Sequence, residues 1–94
     1  MKTSVIIPAF NEERVIDRCL KSLESQTLGD FEVVVVDDGS TDHTPDLLSN
    51  FIAKNFKLTT FKQKHLGPAV ARNLGAKHAS GDILVFVDAD MIFD

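Results

Sequence analysis

Hydrophobic residues in this chain alternate between short continuous runs and stripes at helical spacing. Runs rich in β-branched residues predict four strands, which we place at residues 3–7, 31–36, 57–61 and 82–87. Between them, apolar residues recur three and four positions apart, which predicts three amphipathic helices over residues 12–25, 45–55 and 68–80. The predicted element order is therefore β-α-β-α-β-α-β.

This order is typical of an α/β fold with a doubly wound, mostly parallel, Rossmann-like sheet, because each link is long enough for a right-handed crossover. We expect the strand order 3-2-1-4 and one domain over residues 1–94. The third strand, with Lys57 and Lys62, suits a sheet edge, whereas the last strand is apolar and is expected to be buried. The chain stops four residues after Asp90, which suggests a piece of a longer protein.

The second strand ends abruptly in charged residues. Four valines, Val33 to Val36, favour burial on both faces, and Asp37 and Asp38 follow them directly. An unpaired buried carboxylate is costly, and ligands bind at the carboxyl ends of strands in open parallel sheets. Asp37 and Asp38 are therefore both candidate ligand-binding residues. The alternative is that one of the two acids only caps the following turn, a role that suits Asp37 better.

A second acidic strand end is the tripeptide Asp88-Ala89-Asp90, which follows the last strand. In an extended segment, residues two apart point the same way, so both carboxylates can approach one centre. Hard divalent ions such as Mg²⁺ or Mn²⁺ prefer carboxylate oxygens and often share their site with substrate phosphates. Asp88 and Asp90 therefore predict a metal site, and the small Ala89 leaves room for a ligand against the backbone.

The composition of the chain argues against several classes of protein and of binding site. The formal net charge is −4 and the pI is near 5.2, which argues against a nucleic-acid-binding protein. No apolar run reaches the ~18 residues of a membrane span. The single Cys19 excludes an internal disulfide and a thiolate metal site. These features fit a cytoplasmic protein.

The residues alone leave other functions open. A dinucleotide-binding domain is disfavoured because PAFNEE follows the first strand, where a glycine-rich turn would hold the pyrophosphate. A phosphoryl-transfer receiver would carry its essential acid after that strand, where Pro8 stands. A nucleotidyltransferase-like nucleotide-binding domain is the main alternative, and a binding module that self-associates through an unfinished sheet edge is a third.

Four segments carry a family resemblance: SVIIPAFNEE, VVVVDDGSTD, GPAVARNLGAKHASGD and LVFVDAD. In this order they resemble the N-terminal half of an inverting family 2 glycosyltransferase of the GT-A fold, similar to dolichyl-phosphate mannose synthases and bacterial polysaccharide glycosyltransferases. The resemblance implies a UDP- or GDP-sugar donor, a Mn²⁺ or Mg²⁺ cofactor, and transfer with inversion to an acceptor hydroxyl on a lipid or polysaccharide. It also allows a location at the cytoplasmic face of a membrane for the full-length protein.

The same resemblance assigns roles to individual residues. It implies that Asp38 hydrogen-bonds the base and that Asp90 is the stronger metal ligand. Arg72 and the basic loop over residues 62–65 could face the phosphates, and the alternative is that these charges are a solvated surface. The family's general base lies later in the sequence, so no catalytic residue is expected in this chain, which alone should bind nucleotide without turnover. The residues expected to contact the nucleotide sugar are Pro8, Phe10, Glu12, Val36, Asp38, Asp88 and Ala89, and those expected to bind the metal are Asp90 and Asp88.

Overall fold

The computed structural model describes residues 1–26 and 29–93. It contains the predicted elements in the predicted order, which confirms the α/β class. No helix in these ranges has the length and apolarity needed to cross a lipid bilayer. The elements are β1 (Thr3–Ala9), α1 (Ile16–Glu24), β2 (Phe31–Asp37), α2 (Thr44–Asn50), β3 (Lys57–Lys62), α3 (Pro68–His78) and β4 (Ile83–Phe86).

All four strands form one parallel sheet in the order β3-β2-β1-β4, as the sequence predicts. β1 runs beside β2 over its full length, from the Thr3–Phe31 pair to the Ala9–Asp37 pair. β4 pairs with residues 3–6 of β1, and β3 pairs with the other side of β2. Because the strands are parallel, their carboxyl ends open at one edge of the sheet.

Helices pack on both faces of the sheet, which makes it doubly wound. On one face, alternate residues of β2 such as Val33 and Val35 belong to the same buried cluster as the apolar stripe of α1. On the other face, α3 lies against β1 and β2. The approach is close at Gly75, where an added Cβ would lie 2.6 Å from Ile6 Cγ2. The buried residues of α1 are Ile16, Cys19, Leu20 and Leu23.

Helix α1 begins at Ile16 rather than at the predicted residue 12. The backbone N–H groups of Glu12 and Glu13 donate to Thr44 Oγ1 at 2.9 Å and to Asp42 Oδ2 at 3.2 Å, which are side chains of the segment after β2. A turn over residues 12–15 precedes the helix. The first N–H groups of a helix have no partner within it, so these bonds fasten the turn to the segment after β2 but do not set the helix boundary.

Helix α2 ends at Asn50 rather than at the predicted residue 55. Phe51 has an extended backbone, with φ −71° and ψ 129°. The N–H groups of Lys54 and Asn55 donate to the carboxylate of Glu24 at the end of α1. These bonds hold the segment after α2 in a loop, because they satisfy backbone donors that a longer helix would have used.

The predicted burial of the last strand is wrong in the part of the chain that the structure describes. β4 lies at a sheet edge, and its four residues, Ile83 to Phe86, are 40–49% exposed. An apolar run indicates a preference for burial, whereas burial itself depends on what packs against the strand. The predicted edge position of β3 is confirmed.

Candidate functional site

A cleft of about 400 Å³ lies where β1, β2 and β4 end. This is the carboxyl edge of the sheet, at which open α/β sheets bind ligands. Asp38 and Asp90, from the ends of β2 and β4, open into the same cleft. The predicted site residues that line it are Pro8, Phe10, Glu12, Asp38, Asp88, Ala89 and Asp90, and Ala9, His65, Pro68 and Arg72 join them.

Val36 is the one predicted site residue that is not among those lining the cleft. It is fully buried in β2, where it pairs with Pro8 on one side and Phe61 on the other. Its side chain lies toward α3, because its Cγ2 is 3.3 Å from the position that a Cβ at Gly75 would take. The predicted contact of Val36 with the nucleotide stays a prediction, and its buried side chain leaves only the backbone to make it.

Asp38 is a buried carboxylate that organises the loop between β3 and α3. Its Oδ1 accepts hydrogen bonds from Gln63 Nε2 and the Leu66 N–H, both at 2.8 Å, and its Oδ2 accepts one from the Gly67 N–H at 3.1 Å. Burial raises the pKa of the Asp38 carboxyl, but these hydrogen bonds and the charge of His65 outweigh burial, so the net effect is a lowered pKa. The hydrogen bond from a base to Asp38 stays a prediction.

His65 places a second aromatic ring in the cleft, beside the residues expected to bind the base. Its imidazole stacks on the Phe10 ring with centroids 3.9 Å apart, and its Nδ1 lies 3.0 Å from Asp38 Oδ2. The sequence indicated only that His65 belongs to a basic loop near the phosphates. Because Phe10 and His65 lie on loops after different strands, no local pattern could have paired them.

Acidic side chains concentrate around Glu12. Burial raises the pKa of the Glu12 carboxyl, and the negative charges of Asp90, Asp42 and Asp88 raise it further. Asp88 also has a cationic neighbour, since Arg72 Nη2 lies 3.6 Å from Asp88 Oδ1. A carboxyl group whose pKa is raised by neighbouring carboxylates lies in a negative field, which a divalent cation would relieve.

Asp88 and Asp90 fit a Mn²⁺ or Mg²⁺ site that is completed by a ligand and water. Their donor atoms are carboxylate oxygens, which both ions prefer. In the described residues, no group of three or more His, Cys, Asp or Glu side chains is arranged to hold a metal ion. A metal ion held by Asp88 and Asp90 would take its other ligands from a bound phosphate group and water, as is usual for Mg²⁺.

Asp37 has the turn-capping role that was the alternative interpretation of the two acids. Its Oδ1 accepts a hydrogen bond from the Ser40 N–H at 3.0 Å, which ties down the turn after β2. The side chain is buried and is not among those lining the cleft. The two neighbouring acids therefore have different roles, since Asp37 stabilises a turn and Asp38 faces the cleft.

The chain is similar to known glycosyltransferases over nearly its whole length. An uncharacterized glycosyltransferase of Rickettsia bellii (strain RML369-C) is 41% identical over 92 residues, which cover 98% of this chain and 13% of that relative. Among solved structures, the mannosyltransferase PcManGT from Pyrobaculum calidifontis, in complex with GDP-Man and Mn²⁺, matches with a TM-score of 0.91 at 35% identity, covering 96% of this chain and 28% of that one.

A second solved structure, Staphylococcus aureus TarS 1-349 in complex with UDP-GlcNAc, matches with a TM-score of 0.82 at 41% identity, covering 96% of this chain and 27% of that one. The chain thus spans less than a third of the length of each of these proteins. The family profile described as glycosyl transferase family 2 matches residues 4–94. These likenesses confirm the resemblance carried by the four sequence segments and favour it over a nucleotidyltransferase. The chain is a member of glycosyl transferase family 2.

Proposed function

We propose that this chain is the donor-binding part of a glycosyltransferase and that its cleft binds a nucleoside diphosphate sugar together with a divalent cation. The observation that carries the proposal is that the side chains following β1, β2 and β4 line one cleft. The two solved relatives support the choice of ligand, since TarS 1-349 is in complex with UDP-GlcNAc and PcManGT with GDP-Man and Mn²⁺. The donor of this chain is accordingly a UDP-sugar or a GDP-sugar.

The base binds, in this proposal, at the part of the cleft that Pro8, Phe10 and Glu12 form. Phe10 is 37% exposed, so a ring face is open for stacking. Asp38 supplies a charged acceptor for an N–H group of the base, and a hydrogen bond to a buried charged acceptor is stronger than one between neutral groups. Val36 contributes only its backbone beside this position.

In this proposal Asp88, Ala89 and Asp90 hold the ribose and the cation. The diphosphate of the donor lies against the same residues. Asp90 and Asp88 would hold Mn²⁺ or Mg²⁺, and the bound ion would supply positive charge that stabilises the charge developing on the leaving group. Arg72, which lies 3.6 Å from Asp88, adds positive charge near the phosphates. Because Asp88 and Asp90 would otherwise repel the phosphates, donor affinity should depend on the cation.

The parent enzyme transfers the sugar, in this proposal, with inversion to an acceptor hydroxyl of a lipid or polysaccharide. Inversion requires a general base on the face of the sugar opposite the leaving diphosphate. The carboxylates of this cleft are assigned to the nucleotide and the cation, and the chain spans 13% to 28% of the relatives described above. We therefore expect the 94-residue chain to bind the donor nucleotide without turnover.

The free edge of β4 supports the further expectation that copies of this chain self-associate. Its residues are 40–49% exposed, and an unpaired apolar strand edge is a template for pairing with another strand. Sedimentation velocity over a wide range of protein concentration measures this directly. A sedimentation coefficient that does not change with concentration and matches a monomer would contradict self-association.

Calorimetric titration of the chain with UDP-GlcNAc and with GDP-Man, in the presence of Mn²⁺, tests the proposed function. We expect binding of at least one donor, with a clear preference for one of the two, because they share the diphosphate but differ in base and in sugar. The Asp46→Asn variant, altered in α2 and outside the cleft lining, should bind as the unmodified chain does. A chain that circular dichroism shows to be folded and that binds neither donor would contradict the proposal.

A further inference from the structure

The segment that carries Phe10 and Glu12 is fastened to the loop after β2 by consecutive backbone amides. The N–H groups of residues 11, 12 and 13 each donate to a different side chain of that loop. The acceptors are Ser40 Oγ at 2.9 Å, Thr44 Oγ1 at 2.9 Å and Asp42 Oδ2 at 3.2 Å. None of these three acceptor residues is among those that line the cleft.

Asn11 completes this connection in the opposite direction. Its Oδ1 accepts hydrogen bonds from the Thr41 N–H at 2.8 Å and the Asp42 N–H at 3.3 Å. Asn11 therefore joins the two loops both as a backbone donor and as a side-chain acceptor. Its neighbours in sequence, Phe10 and Glu12, both line the cleft, whereas Asn11 does not.

The backbone at Asn11 is also unusual. Asn11 has φ 52°, and in the described residues it is the only residue other than glycine with a positive φ. Most L-residues avoid this left-handed region, while Asn tolerates it better than others because its short polar side chain can hydrogen-bond nearby. Asn at position 11 therefore serves two purposes: it tolerates the left-handed backbone, and its side chain accepts the hydrogen bonds from the loop after β2.

We propose that Asn11 is a positioning residue for the nucleotide cleft, and that it holds Phe10 and Glu12 in the binding conformation by joining their backbone to the loop over residues 40–42. The inference rests on the proposed function, since it concerns affinity for the same nucleotide. If Asn11 is replaced, the segment with Phe10 and Glu12 also adopts other conformations. The apparent affinity for the nucleotide then falls in proportion to the fraction of molecules that keep the binding conformation.

Three substitutions at Asn11 separate its contributions, with UDP or GDP, whichever binds, titrated in the presence of Mn²⁺. Asn11→Ala removes the acceptor and disfavours the positive φ, and we expect it to raise the Kd about five- to tenfold. Asn11→Gly permits the positive φ but lacks the acceptor, so its Kd should lie between those of Asn11→Ala and the unmodified chain. Asn11→Asp keeps an acceptor oxygen and tolerates the same backbone, so its Kd should stay within about twofold.

A matched control separates positioning from general stability. Glu24 also accepts hydrogen bonds from two backbone amides, those of Lys54 and Asn55, but it lies at the end of α1 and outside the cleft lining. We expect Glu24→Ala to lower the melting temperature without changing the Kd of the folded chain. Equal changes of Kd in Glu24→Ala and Asn11→Ala would show that Asn11 acts only through stability and would overturn the inference.

Ser40→Ala tests the same connection from the other loop if Asn11→Ala does not fold. It removes the acceptor of the Asn11 N–H and leaves Asn11 itself intact. An increase in Kd supports the positioning role. An unmodified chain that binds nucleotide, with a Kd that neither Asn11→Ala nor Ser40→Ala changes, overturns this inference alone, whereas an unmodified chain that binds no nucleotide overturns the proposed function with it.

Discussion

The phenyl ring of Phe10 and the imidazole of His65 are stacked, with centroids 3.9 Å apart and planes inclined by 24°. At this separation no third ring fits between them, so a base must stack on an outer face of the pair or displace His65. Because His65 Nδ1 also lies 3.0 Å from Asp38 Oδ2, the stack ties the loop after β1 to the end of β2. The part of the cleft where we propose that the base binds is thus built from residues of three loops.

Replacement of Phe10 should weaken nucleotide binding through the loss of stacking. Phe10→Leu keeps an apolar side chain but removes the ring, and we expect a loss of about 1 kcal/mol, or about fivefold in Kd. Phe10→Tyr keeps the ring and should bind within about twofold of the unmodified chain. Calorimetry with the nucleoside diphosphate measures both values, and equal affinities for Phe10→Leu and Phe10→Tyr would contradict a stacking role.

Glu32 makes the stability of the chain sensitive to acid. Burial raises the pKa of the Glu32 carboxyl, but hydrogen bonds from Ser4 and Ser80 and the charge of Lys2 outweigh burial, so its pKa is lowered on folding. A lowered pKa stabilises the folded state at pH values above the unfolded pKa of about 4.3. That contribution is lost as the pH falls from this value through the lowered pKa of the folded state.

Urea unfolding between pH 6 and pH 3 measures the effect of Glu32. The free energy of unfolding should fall less steeply with acid in Glu32→Gln than in the unmodified chain. Near neutral pH, Glu32→Gln should be less stable by about 1–3 kcal/mol, because Glu32 Oε2 accepts three hydrogen bonds from Ser4 and Ser80. Asp30→Asn, at an exposed position, is the matched control, and the same profile in both variants would show that Glu32 is not responsible.

Gly75→Ala should destabilise the chain although alanine favours helices. The gain in helix propensity is about 1 kcal/mol. The new Cβ would lie 2.6 Å from Ile6 Cγ2 and 3.3 Å from Val36 Cγ2, so α3 would have to move away from the sheet. Overpacking of this kind typically costs about 1–3 kcal/mol, so we expect a net loss.

Thermal and urea unfolding measure the effect of Gly75→Ala. The control is Asn73→Ala, at an exposed position of the same helix, which should be neutral or slightly stabilising. A Gly75→Ala variant that is as stable as Asn73→Ala would contradict the close packing of α3 on β1.

Cys19 should be chemically inert in the folded chain. Its side chain is fully buried, and burial, followed by the charges of Asp90 and Glu12, raises the pKa of the thiol to about 11. The thiolate is the reactive form, so modification by Ellman's reagent should be at least about a hundredfold slower in the folded chain than in guanidinium. Cys19 is the only cysteine of the chain, so the whole absorbance change of the reagent reports on this thiol. Equal rates in the two states would contradict burial of the thiol.

The sequence predicts the strand order and the position of the cleft because both follow from strong, local signals. The valine run Val33–Val36 and the acids after it identify a buried strand with a polar end. Because crossovers of this length connect parallel strands, the carboxyl ends of β1, β2 and β4 then lie at one edge. Most of the predicted site residues meet there for this reason.

The features that the sequence missed depend on contacts between distant segments. The Glu12 N–H fastens the turn before α1 to Thr44, and α2 ends early where Glu24 accepts a hydrogen bond from the Asn55 N–H. His65 contacts Phe10 only because the folded sheet brings the loops after β1 and β3 together. The apolar run of the last strand predicts burial, but apolar composition does not determine what packs against a strand.

The metal dependence of diphosphate binding tests the central claim most directly, which is that the acids at neighbouring strand ends hold a cation and a nucleoside diphosphate in one cleft. The chain and its Asp90→Ala variant are titrated with the nucleoside diphosphate and with the nucleoside of the same base, with and without Mn²⁺. We expect Mn²⁺ to lower the Kd of the diphosphate at least about tenfold in the unmodified chain, to leave the nucleoside unaffected, and to have little effect in Asp90→Ala. A Kd of the diphosphate that is the same with and without Mn²⁺, or a metal effect that persists in Asp90→Ala, would contradict the claim.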